Sequence, residues 1–212
     1  MPKLQLPYEI TKLSDEEKAI DEINYARFIQ ANFDTIIKYI NATDVSIEKD
    51  TYTYDFAVDD GNWTLSDATI SGGILDITAN SGYGQRSPDD NWYSDVEHDF
   101  RLEADFKNDA VDATPTIAIK LNGDTNQIRF DVYDNLMRIV YAAVVKTSQA
   151  FTDDTSSHTM KVRRLGTTYH YSIDSGIEIS WNYETARALE NIQLKMWITT
   201  GEFDNFKYCW TS

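Results

Sequence analysis

Two hydrophobic rhythms divide the chain near residue 50. In the first, Ala19, Ile23, Ala26, Gln30, Phe33, Ile37 and Ile40 recur at alternating spacings of four and three, the seam of a heptad helix. Ile20, Ile29 and Ile36 widen that stripe beyond a two-stranded seam, which favours three helices or packing against another surface. Gln30, the polar seam residue, suits a role in fixing register. Ser14 with Glu17 three residues later has capping-box spacing, so a helix over 14–42 is predicted, with Ile23, Ala26, Gln30, Phe33, Ile37 and Ile40 as its oligomerisation contacts. Folding of this helix back onto the chain's own sheets is the alternative. Residues 1–13, which hold two of the four prolines, read as an extended docking segment, and 43–50 as a linker.

From residue 51 the period becomes two. Tyr52, Tyr54, Phe56 and Val58 alternate with polar neighbours, as do Phe100, Leu102, Ala104 and Phe106, the signature of strands with one buried face. Gly72-Gly73 and Asn122-Gly123 are hairpin turns, since both pairs tolerate the left-handed backbone that tight β-turns need. Further runs are Ile139, Tyr141, Ala143 and Val145; Tyr169, Tyr171 and Ile173; Ile177, Ile179, Trp181 and Tyr183; and Ile192, Leu194, Met196 and Ile198. Residues 184–191, rich in Ala and Leu, suggest one or two helical turns. Many short strands without βαβ alternation predict a mainly β fold, an antiparallel jelly-roll β-sandwich over 51–212, preceded by an N-terminal α-helix forming a trimeric coiled-coil-like stalk.

Charge narrows the partners. Among 212 residues, 35 Asp and Glu face 19 Lys and Arg, a formal net charge of -16, which disfavours nucleic acid and anionic lipid and points to neutral or cationic glycans or a protein surface. Cys209, alone of its type, excludes an internal disulfide and reads as a buried thiol. The start Met1-Pro2-Lys3-Leu4 has no long apolar run, so cytosolic synthesis without membrane insertion is expected.

Three stretches carry a family resemblance: Tyr54-Asp55-Phe56 through Asp59-Asp60-Gly61-Asn62-Trp63 with Ile74-Leu75-Asp76-Ile77; Phe100 through Phe106; and Gly201-Glu202-Phe203-Asp204-Asn205-Phe206-Lys207. They resemble the concanavalin A-like lectin and laminin-G-like jelly rolls, a superfamily of carbohydrate-binding modules and glucanases. A heptad segment joined to such a domain resembles a bacteriophage tail, baseplate or neck-fibre protein. That resemblance implies a homotrimer in the virion, assembled in the bacterial host cytoplasm. It would contact other virion proteins through its N-terminus and bind host-surface glycan with its distal domain. A structural decoration or adaptor protein of a virion, with no glycan ligand, is the runner-up.

Hydrolases of this superfamily place carboxylates as Glu-x-Asp-x-x-Glu. Here Glu103 and Asp105 are followed by Phe106, Lys107 and Asn108, and with the third acid missing a non-enzymatic chain is expected, because retaining hydrolysis needs two working carboxylates. His98, His158 and His170 form no short metal-ligand pair. Sugars are held by aromatic faces with amides and charges on the hydroxyls, so the aromatic, polar stretch 83–93 supplies the candidate carbohydrate site: Tyr83, Gln85, Arg86, Asp90, Asn91, Trp92 and Tyr93. Trp181, Asn182 and Tyr183 form a lesser one, while Trp63, Trp197 and Trp210 read as structural. No cofactor is expected. The resemblance leaves room for a structural calcium ion at Asp55, Asp59, Asp60 and Asp204.

Overall fold

The computed structural model describes residues 48–87, 99–185 and 187–211. The expected docking segment, the helix with Ile23, Ala26, Gln30, Phe33, Ile37 and Ile40, and Asp90, Asn91, Trp92, Tyr93 and the side chain of Trp210 lie outside the described residues. Every element described is a strand or a loop between strands.

In chain order the strands are β1 (Glu48–Tyr54), β2 (Trp63–Ser66), β3 (Ala68–Ser71), β4 (Ile74–Ile77), β5 (Tyr83–Arg86), β6 (Asp99–Asn108), β7 (Pro115–Leu121) and β8 (Gln127–Tyr133). They continue with β9 (Leu136–Tyr141), β10 (Val144–Ala150), β11 (Ser157–Leu165), β12 (Thr168–Ile173), β13 (Ile179–Asn182), β14 (Leu189–Met196) and β15 (Gly201–Thr211). The first sheet has the order β13-β12-β11-β6-β15-β4-β3, with β1 also pairing with β15, and the second has the order β10-β9-β8-β7-β14-β5-β2. All pairs are antiparallel. This is a two-sheet jelly-roll-like sandwich.

Alternation builds the interior. On β6, Phe100, Leu102, Ala104 and Phe106 are buried while Arg101, Glu103, Asp105 and Lys107 face outward. Facing them across the sandwich are Ile117, Ile119, Ile128, Phe130, Ile192 and Leu194 from β7, β8 and β14. Full burial of a side chain of this size contributes about 1.5–3 kcal/mol, so the period-two pattern also specifies which face of each strand turns in. Cys209 is buried.

Turns account for two departures from the expected elements. The run through Ile139 and Val145 is not one strand, because Ala142 and Ala143, at φ 51° and 61°, turn β9 back into β10. The helical turns expected within 184–191 are replaced at Leu189–Asn191 by the start of β14, where Leu189 is buried in the core. Burial between strands here outweighs the local helix preference of Ala and Leu.

Candidate functional site

The outer face of the second sheet is set by register. Tyr83 lies opposite Lys195 and Gln85 opposite Gln193 between β5 and β14, and Lys195 lies opposite Thr116 and Gln193 opposite Ala118 between β14 and β7. Thr116 then faces Asp131 and Ala118 faces Arg129 on β8, with Arg138 and Val140 next on β9. Residues that are cross-strand neighbours on one side of a sheet share a face. These rows therefore share the outer side of the sheet, where Thr116, Ala118, Asp131 and Val140 are buried at the middle while Tyr83, Gln85, Gln193, Lys195 and Arg129 are part-exposed around them.

The small Thr116 and Ala118 leave room over β7, and long side chains from both sides reach into it. Lys195 Nζ lies 3.5 Å from the Trp197 ring centroid and Arg129 Cζ lies 5.5 Å from the same ring. Tyr83 is 5.6 Å from Lys195 Nζ, and Gln193 Nε2 donates to Gln85 Oε1 at 2.6 Å. Trp197 Nε1 is buried without a hydrogen-bond partner. Burial lowers the Lys195 ammonium pKa below its ordinary value, and the neighbouring Arg129 charge lowers it further. Beside this group, Arg138 donates to both oxygens of fully buried Asp131, at 2.8 and 3.0 Å. Burial still holds the Asp131 carboxyl above its ordinary pKa despite that guanidinium.

Of the residues expected in a sugar site, Tyr83 and Gln85 lie on this face. Arg86 does not: it is 2% exposed, turned into the sandwich, ion-paired with Asp60 at 2.9 Å and 4.5 Å from the Tyr52 ring centroid. Lys195, Arg129 and Trp197 escaped the sequence reading, which treated Trp197 as structural because Met196 and Ile198 flank it. The available signal was parity: Gln193, Lys195 and Trp197 alternate with Ile192, Leu194 and Met196.

Trp181 and Tyr183 help close one end of the sandwich. Trp181 stacks on Tyr141 with ring centroids 5.5 Å apart, and Tyr183 and Tyr141 donate to Asp124 at 2.6 and 3.0 Å. Burial opposes ionisation of Asp124, but the Asn126 amide and these two hydroxyls hold its carboxyl below the ordinary pKa. The Thr167 hydroxyl donates to Asn182 Oδ1 at 2.7 Å. Of the four carboxylates considered for calcium, Asp55 accepts from the Ala57 amide, Asp59 from the Gly61 amide, Asp60 from Arg86 and Asp204 from the Asn205 amide. Among the described residues no three His, Cys, Asp or Glu side chains come together in a metal-holding group.

Glu103 and Asp105 lie on the opposite side of the molecule, on the outer face of the first sheet. They line a cavity of about 430 Å³ with Thr159, Lys161, Asn205 and Lys207. Glu103 sits between Lys161 and Lys207 in the cross-strand register and is ion-paired with Arg101. Asp105 accepts from the Thr159 hydroxyl on one oxygen and from Asn205 Nδ2 on the other, the latter presented by a bulge in β15.

No family model matches the chain, and no curated protein matches it in sequence. Solved structures do match in fold. The CBM2 module of the evolved Dit of Lactobacillus casei BL23 phage J-1 is 9% identical, with a TM-score of 0.58 over 78% of this chain and 98% of that one. A Bacillus subtilis protein of unknown function with a galectin-like fold is 11% identical, with a TM-score of 0.57 over 78% and 98%. A β-glucanase of Bacillus licheniformis is 10% identical, with a TM-score of 0.55 over 76% and 98%. The chain shares with them a two-sheet, jelly-roll-like fold. Other structures of this shape are named for endo-acting O-glycanases, a transglycosylase and a glycosyl hydrolase.

These neighbours correct the expectation of a non-enzymatic chain. The jelly roll is a scaffold for glycan-cleaving and glycan-transferring enzymes as well as for binding modules. The expectation rested on the missing acid of a single strand, β6, whereas a two-carboxylate constellation can be assembled from several strands or loops.

Proposed function

We propose that the jelly roll engages glycans on the outer face of its second sheet and that the chain displays it as a virion fibre or baseplate component. One observation carries the glycan half: Tyr83, Gln85, Gln193, Lys195, Arg129 and Trp197 converge on one sheet face, putting aromatic rings beside amide and cationic donors. Aromatic faces cover the apolar C–H patches of a sugar ring while polar groups orient its hydroxyls. The virion half is supported by the heptad segment and by the fold shared with a phage module. If the heptads assemble three copies, three weak sites act together and avidity rises without a tighter pocket.

A glycan array probed with the full chain tests this, with reducing-end release measured on every glycan retained so that cleavage is detected alongside binding. Trp197→Ala or Tyr83→Ala is expected to weaken binding about tenfold, in keeping with the contribution of an aromatic contact. Absence of any bound glycan overturns the proposal, as does binding unaffected by both substitutions.

A further inference from the structure

Lys195 and Arg129 share one indole, that of Trp197. They approach it from the two strands flanking β7, and neither forms a salt bridge with a carboxylate among the described residues, Arg129 acting on Asp131 only through its field, although the protein carries a formal net charge of -16. The acid nearest in register, Asp131, is engaged at both oxygens by Arg138. The nearby pair Lys120 and Glu190 is likewise closed, at 2.6 Å. Two half-buried cations at one indole repel each other and lose hydration, and the indole quadrupole offsets only part of that. An anion placed between them would relieve both costs at once, with bonds to charged donors that are about twice as strong as neutral ones.

Resting on the glycan reading above, we propose that this site selects an anionic saccharide, with a ring carboxylate or phosphate ester bridging Lys195 and Arg129 and the sugar bearing it lying along Tyr83, Gln85 and Gln193. The proposal reverses what bulk charge suggests. Screening confines a surface field to about 8 Å at physiological ionic strength, so a local cationic pair can accept an anion on a molecule that is acidic elsewhere. The Gln193 and Gln85 amides, bonded to each other at 2.6 Å, lie one row along β14 and β5 from Lys195 and Tyr83 and supply neutral donors for hydroxyls.

Calorimetry on the full chain tests it with oligogalacturonate, the matched neutral galacto-oligosaccharide and a sugar-phosphate oligomer. The expected result is that at least one anionic oligomer binds tenfold or more tightly than the neutral one, and that this advantage shrinks with added salt. The arm that binds identifies the anion as carboxylate or phosphate. Lys195→Gln and Arg129→Gln should each bring the anionic-to-neutral ratio toward one, and Lys195→Arg should restore much of it. Lys161→Gln, on the opposite sheet, should leave the ratio unchanged. A ratio near one in the unmodified protein, or a high ratio that neither glutamine variant lowers, overturns the proposal while leaving glycan binding standing. Failure of these oligomers and of every glycan on the array overturns both.

Discussion

On the outer face of the first sheet, Glu103 lies between Lys161 and Lys207 and is ion-paired with Arg101, and Arg163 donates twice to Glu178, at 2.9 and 3.0 Å. On the outer face of the second, Arg138 and Asp131 pair in the same closed way, yet Arg129 and Lys195 beside them meet an indole instead of an acid. Both faces are built by the same alternation on the same kind of strand. What separates them is whether charge is satisfied within the fold or left to be satisfied from outside. Charge of the first sort should cost stability when removed, and charge of the second sort should cost binding.

The sharpest way to break that division is Arg138→Met. It leaves the Asp131 carboxylate, 0% exposed, without its counter-charge, and removing one partner of a buried pair costs about 3–5 kcal/mol. The urea midpoint should fall with little change in slope. Burial already raises the Asp131 pKa in the folded protein, and the substitution raises it further. Stability is therefore lost as pH rises from about 3.9, the ordinary value, through the folded value, and the deficit of the variant should shrink in acid. A deficit below about 1 kcal/mol at pH 7 would show that this pair is not closed in the sense used here.

A smaller, pH-dependent effect is expected at His158, which bonds Asp174 at 2.8 Å and Asp154 at 3.1 Å through its two ring nitrogens. Burial alone would lower its pKa, but the two carboxylates outweigh it and the folded value is raised. The contribution to stability is thus fully present below about pH 6.5, the ordinary value, and is lost as pH rises through the raised folded value. Urea unfolding across pH 5 to 9 should show that decline in the unmodified protein and lose it in His158→Gln. An identical slope in the variant would assign the decline to another group.

Glu103→Gln perturbs the satisfied charge on the outer face of the first sheet. It leaves Arg101, Lys161 and Lys207 facing a neutral amide, and an exposed pair of this kind contributes about 0.5 kcal/mol. Urea unfolding should show a loss of that order at low salt and less at high salt. A loss of several kcal/mol would mean that the outer face of the first sheet is as tightly closed as the Asp131 pair.

Much of the fold was legible because strand sequence with one buried face advertises itself: Phe100 to Phe106 and Tyr169 to Ile173 both turn their apolar set inward as expected. The Gly72-Gly73 hairpin was legible from its residues, both of which adopt positive φ. The Ala142-Ala143 turn was not, since alanine carries no preference for the left-handed region and pays to enter it. Arg86 was misplaced because a guanidinium is ordinarily an outside group, and its parity on a four-residue strand only becomes clear once Gly84 is seen packed under Leu75 and Trp63. Most of the candidate site was hidden for a similar reason. Tyr83 and Gln85 drew notice as part of an aromatic polar stretch, whereas Arg129, Lys195 and Trp197 meet only through pairing of strands far apart in sequence.

The smallest stability effect belongs to the pair on which the comparison depends most. Lys195→Gln removes a cation–π contact with Trp197, which contributes about 0.5–1 kcal/mol, but it also removes a half-buried charge repelled by Arg129. These terms oppose each other, so the unfolding free energy should stay within about 0.5 kcal/mol of the unmodified protein. The pH dependence separates the two contributions. Because burial and Arg129 lower the folded Lys195 pKa from 10.5, the unfolded chain binds the proton more tightly, and stability gains as pH rises through the window below that value. The glutamine variant has no proton to lose there and should lack that gain. Calorimetric melting from pH 8 to 10 reads the difference. A loss well above 1 kcal/mol at pH 7 would make Lys195 part of the fold's own closed set, and the contrast between the two outer faces would disappear.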